Sequence, residues 1–92
     1  MVNLLIVHNV KDYKKWKPVF DEHITMRKAA GEKEAQSFRN LDNPNELIIL
    51  QKWDTIEKAR KFTESEDLKK AMQKAGVEGK PKIYFLEEIE KK

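Results

Sequence analysis

At 92 residues the chain has the length of one domain, spanning 1–92, and a chain of this size buries only about two-thirds of the surface its unfolded form exposes. It contains no cysteine, which excludes a disulfide framework and thiolate chemistry. Charged residues make up 38% of the chain but the net charge is only +3, and arginine is confined to Arg27, Arg39 and Arg60, so the basic face with interleaved aromatics that nucleic-acid binding requires is missing.

The first stretch, MVNLLIVHNV, is apolar and β-branched, and predicts a strand over Val2–Val10. It lacks the basic region of a signal peptide, and no apolar run reaches the roughly 18 residues of a membrane span. The expectation is a cytoplasmic protein with no membrane partner. Asp12 then opens a helical segment whose first turn accommodates Pro18, and Gly31 is placed to end it. Glu34–Leu41 reads as a weaker strand, the residues DNPN as a turn, and Glu46–Trp53 as a strong strand completing a hairpin. Asp54 and Glu57 have the spacing of a capping box for the next helix. That helix is expected to break near Ser65, where Glu66 and Asp67 suit a new first turn, and to close at Gly76. A loop, VEGKP, leads to a final strand over Lys82–Ile89.

The order β-α-β-β-α-β predicts an α+β, ferredoxin-like sandwich, an antiparallel sheet with helices on one face. A sheet with one wet face alternates apolar and polar residues. Here alternation fails: Leu4 and Ile6 oppose Leu5 and Val7, Leu47 and Ile49 oppose Ile48 and Leu50, and Ile83 and Phe85 oppose Tyr84 and Leu86. The helices can cover one face only. The expected cover for the other is a second copy, giving a homodimer packed through its sheet faces.

The segment Tyr13–Gly31 carries the pattern YxxWKxxFDxHxxxRxxAG, followed by FRNxxxPNE from Phe38 to Glu46, WD at Trp53–Asp54 and YFLEE at Tyr84–Glu88. On these residues the chain resembles the dimeric α/β-barrel superfamily, and more narrowly small antibiotic-biosynthesis-monooxygenase-like and cyclase-like proteins. The resemblance implies a ferredoxin-like subunit whose dimer forms an α/β barrel, with a pocket between helices and sheet. It does not fix a reaction, because that superfamily includes cofactor-independent oxygenases, polyketide cyclases, haem-handling enzymes, isomerases and proteins of no known activity.

The residues themselves narrow the choice. Wound as a helix, Trp16, Phe20, His23 and Arg27 fall within roughly 60° of one another, in the middle of the apolar arc. His23 and Arg27 are therefore the candidate catalytic pair. Arg27 would hold negative charge on an anion, enolate or phenolate, and His23 would move a proton, with Trp16 and Phe20 as walls. The structural alternative is that Arg27 pairs internally with a carboxylate such as Glu46 or Glu87 and His23 caps a backbone carbonyl.

His8 shares the Leu4 and Ile6 face of the first strand and is a candidate to line the same cavity. Arg39, Trp53 and Tyr84 complete the candidate substrate-binding set, with packing as their alternative. Two histidines without a carboxylate at ligand spacing predict no metal, and no phosphate-binding glycine loop or haem-degrading Asn, Trp and His arrangement is found, so no cofactor is expected. Two functions fit: a cofactorless monooxygenase or cyclase acting on an aromatic or enolisable small molecule, or a non-catalytic dimeric module that binds a small molecule or a partner.

Overall fold

The computed structural model describes residues 2–92. Its elements run β1 (Val2–Val10), α1 (Tyr13–Glu22), α2 (Ile24–Ala30), β2 (Glu32–Arg39), β3 (Glu46–Trp53), α3 (Ile56–Thr63), α4 (Glu66–Ala75) and β4 (Val77–Leu86). The strands form one antiparallel sheet in the order β2-β3-β1-β4, and the helices lie against one face. This is the ferredoxin-like α+β arrangement, with each crossover helix divided in two.

Local chemistry accounts for most boundaries. The Asp12 side chain accepts from the Lys14 backbone N–H and caps α1. Ser65 caps α4 through Leu68 N, and Glu66 and Asp67 occupy its first turn. Gly76, at φ 79°, ends α4 in the left-handed conformation that glycine adopts without a Cβ penalty.

Several boundaries correct the sequence reading. The segment from Asp12 to Gly31 is two helices broken at His23, and Pro18 lies in the second turn of α1, not its first. α3 is capped by Thr55, whose Oγ1 accepts from Lys58 N at 3.2 Å, because Asp54 is drawn instead to the Lys58 ammonium at 2.9 Å. β2 begins at Glu32, two residues earlier than expected. β4 takes up the supposed VEGKP loop and stops at Leu86. Proline and glycine are tolerated there because β4 is an edge strand with a bulge: Val7 pairs with Lys82 but Asn9 pairs with Glu78.

Strand parity sets the two sheet faces. Leu4, Ile6, His8 and Val10 of β1 and Leu47, Ile49, Gln51 and Trp53 of β3 are buried under the helices. They feed two clusters. One gathers Leu4, Ile6, Trp53, Ala59, Phe62 and Leu68, and the other Val10, Trp16, Val19, Leu47, Ile49 and Ala75.

On the opposite face, register stacks Gln36, Leu50, Leu5 and Tyr84 in one row and Phe38, Ile48, Val7 and Lys82 in the next. Phe38, Tyr84 and Leu86 are 52%, 47% and 40% exposed, so this apolar face has no cover among the described residues. No helix among the described residues is long and apolar enough to cross a membrane.

Candidate functional site

The two clusters do not close completely on one another. Between them lies a cavity of about 50 Å³, walled by residues of both clusters and by His8, Phe20, His23, Arg27, Gln51 and Met72. On this measure one water needs about 10–15 Å³, so the space holds a few waters, while a ring the size of benzene needs roughly 150 Å³. Phe20 and Met72 are only half buried, and movement of these two side chains is the simplest way to admit a ring.

The aromatic stripe of α1 supplies one wall. The His8 imidazole meets Trp16 edge-on at 6.1 Å, Trp16 stacks on Phe20 at 4.7 Å, and the Arg27 guanidinium lies 3.9 Å above the Phe20 ring. The break at His23 leaves the last carbonyls of α1 without helical partners. One of them, Phe20 O, accepts from Arg27 Nη1 at 2.6 Å. Arg27 Nε donates to Glu32 Oε2 at 2.9 Å, and both side chains are buried. The partner is thus the residue immediately after the Gly31 turn, neither Glu46 nor Glu87. Among the described residues Nη2 has no hydrogen bond, which leaves it as the end free to donate.

Glu32 is held between opposing effects. Burial raises its pKa above the ordinary carboxylate value, and the Arg27 charge and hydrogen bond pull it back down. A buried carboxylate paired this way largely cancels the guanidinium charge. The cavity therefore meets a guanidinium whose charge is already largely balanced.

His8 is the reverse case. It is 6% exposed, and neither Nδ1 nor Nε2 has a hydrogen-bond partner among the described residues. Burial pushes its pKa down from 6.5 to about 4, so the ring is neutral at neutral pH, with one nitrogen a donor and the other an acceptor. The ladder irregularity between β1 and β4 falls at His8, a feature often found beside functional sites.

His23 stands at the mouth. It lines both the cavity and an open groove formed with Glu22, Met26, Asp67, Lys70 and Lys74, and it makes no side-chain cap for either helix. Lys74 Nζ reaches Glu22 across that groove at 3.3 Å, an exposed pair of little energetic weight.

The structure brings Trp16, Phe20, His8, His23 and Arg27 together around one cavity. It does not bring the other three candidates to it. Arg39 is exposed and stacks over Tyr13 at 4.8 Å. Trp53 is fully buried against Phe62 at 4.7 Å and donates from Nε1 to Gln51 at 3.0 Å. Tyr84 lies on the opposite sheet face, since it has the parity of Leu5.

Gln51 and Glu32 escaped the sequence reading. Gln51 had a signal: it is the one polar residue in the inward alternation of Leu47, Ile49 and Trp53. Glu32 had none, because its role depends on where the chain turns at Gly31. Among the described residues no three His, Cys, Asp or Glu side chains are grouped to hold a metal ion.

A ferredoxin-like sandwich with an aromatic-walled cavity between helices and sheet defines a small α+β protein with an internal pocket. The family model for antibiotic biosynthesis monooxygenase matches residues 13–74, and the chain belongs to that family. No curated protein matches it significantly.

Among solved structures it is similar to a Bordetella bronchiseptica protein assigned to the same family, with TM-score 0.80 and 12% identity over 96% of each chain. It is also similar to SnoaB, a cofactor-independent oxygenase from Streptomyces nogalater solved as a point mutant. That match has TM-score 0.77 and 12% identity over 98% of this chain and 94% of the other. A conserved protein from Methanosarcina mazei follows at TM-score 0.73 and 14% identity, over 92% and 89%. Likeness at this identity speaks for the fold alone.

Proposed function

We propose that this protein is a cofactor-independent enzyme of the monooxygenase or cyclase type, acting on an aromatic or enolisable small molecule in the cavity. The observation that carries this reading is the cavity itself: aromatic walls, two imidazoles, and a guanidinium with one free end. In the monooxygenase case a base removes a proton from an activated carbon, and the resulting carbanion reduces dioxygen. For a CH₂ group converted to a carbonyl, one oxygen atom enters the substrate and the other leaves as water with the two hydrogens. The chain's own residues bind, shield and move the proton. Arg27 Nη2 donates to the developing oxyanion, and His23, at the mouth, passes the proton between substrate and solvent.

The working unit in this reading is a homodimer. Leu5, Val7, Ile48 and Leu50 form the centre of an uncovered sheet face, and a second copy is the partner whose surface matches it in character. The two sheets together would make the α/β barrel.

A second reading, a non-catalytic binding module of the same fold, is favoured by the Arg27–Glu32 pair, which spends most of the guanidinium charge internally. Oxygen uptake and product mass spectrometry with monocyclic phenols and small 1,3-dicarbonyl compounds separate the two. The enzyme reading expects turnover that His23→Gln removes while ligand binding persists. Binding without turnover in the wild-type protein supports the module.

A further inference from the structure

We propose that His8 is the anchor for the hydroxyl group of a neutral, planar phenol or enol held in the cavity, and that the site refuses the corresponding carboxylate. This deepens the reading of the cavity as a small-molecule site and rests on it. Buried polar groups are nearly always hydrogen-bonded, and an exception calls for a partner that belongs there. His8 presents two exceptions on one ring, both buried, on a side chain that lines the cavity.

A neutral imidazole offers one donor and one acceptor. A hydroxyl is the smallest group that answers either, donating its proton to the acceptor nitrogen or receiving from the N–H. Gln51 lines the same cavity but stands opposite Leu4, four residues along β1 from His8, and its Oε1 is engaged by Trp53 Nε1, so the hydroxyl is left to His8. The rest of the wall is hydrocarbon and aromatic, which suits a flat ring.

Charge decides against a ligand that enters already ionised, as distinct from an oxyanion that develops on a bound neutral one. The cation nearest the cavity, Arg27, is already paired with Glu32 at 2.9 Å. Burial keeps the His8 ring uncharged at neutral pH. A carboxylate entering this space would lose its hydration with only the free edge of a balanced guanidinium to meet it. A neutral phenol leaves its water without that loss.

The test uses three probes of nearly one shape at pH 7.5: phenol, toluene and benzoate. Each is titrated into the full-length protein labelled with ¹⁵N at histidine, following the imidazole nitrogens of His8 by long-range correlation spectra. The expected result is binding of phenol at least tenfold tighter than toluene or benzoate, with a shift of the His8 nitrogens that toluene does not cause. In His8→Phe, phenol and toluene should bind alike.

Equal binding of phenol and toluene by the wild-type protein, or benzoate binding tighter than phenol, overturns the inference while leaving the cavity as a small-molecule site. Binding of none of the three overturns both. The wild-type affinities and nitrogen shifts decide the matter even if His8→Phe does not fold.

Discussion

Arg27 and Glu32 form a buried ion pair, Nε to Oε2 at 2.9 Å, across the Gly31 turn that joins α2 to β2. The pair ties the cavity-facing helix to an edge strand and sets the charge that a ligand meets. Its energetics follow from burial: neither ion is stable there alone, and the two together are tolerated because each answers the other.

Removing one partner should therefore be far worse than removing both. Arg27→Met is expected to lower stability by about 3–5 kcal/mol, because it strands the Glu32 carboxylate. Arg27→Met combined with Glu32→Leu should recover most of that loss, as measured by urea denaturation at pH 7. The pH dependence has a definite sign. Burial raises the Glu32 pKa, and losing Arg27 removes the influence that holds it down. A raised carboxyl pKa favours the fold below the unfolded value near 4.5 and loses that benefit as pH rises through the folded value. The single variant should thus lie closer to wild type at pH 4 than at pH 7.

His8 predicts acid sensitivity in the wild-type protein. Its pKa falls from 6.5 to about 4 on folding, so the unfolded chain binds the proton more readily. The contribution is fully present above pH 6.5 and is lost as pH falls through about 4, a change of about 3 kcal/mol at roughly 1.4 kcal/mol for each pH unit. His8→Leu should flatten that part of the stability profile. It should also stabilise the protein by about 1 kcal/mol at pH 7, because it removes two unsatisfied buried nitrogens. A His8→Leu protein less stable than wild type at pH 7 would mean that the imidazole is satisfied by ordered water.

His23 should separate chemistry from folding. It occupies the break between α1 and α2, caps neither helix with its side chain, and is half buried. His23→Gln is expected to change the melting temperature by no more than a few degrees. On a substrate that the wild type turns over, kcat should drop by about 10²–10⁴. Loss of stability without loss of kcat would assign His23 to structure.

The outer sheet face gives a prediction about assembly. Leu5 sits in the row between Leu50 and Tyr84, near the middle of the apolar surface. Leu5→Glu should convert a dimer into a monomer at micromolar concentration, read by native mass spectrometry, with little change in the helix-facing core. A wild-type monomer at that concentration would remove the dimer from the proposed function.

Much of this was legible from residue order. β3 was bounded at Glu46 and Trp53, where the apolar run begins and ends, and the second crossover helix was split at Ser65 by its capping chemistry. The stripe of Trp16, Phe20, His23 and Arg27 also faces one cavity, although the helix breaks within it. The early part of β4 was not legible, because Gly79 and Pro81 signal a loop and only the β1 edge recruits them into a strand. The cap of α3 moved from Asp54 to Thr55 because an ammonium one turn away competed for the carboxylate.

Sequence by itself determined the fold class and the parity of the strands, since these depend on periodicities of two and 3.6 residues that the chain carries locally. It also placed the polar pair on the apolar side of its helix. Tertiary structure alone decided that Arg27 belongs to Glu32, that His8 has no partner among the described residues, and that Tyr84 turns away from the cavity. Those outcomes depend on which strand lies beside which and where a turn closes, and such long-range pairings leave no mark in the spacing of neighbours along the chain.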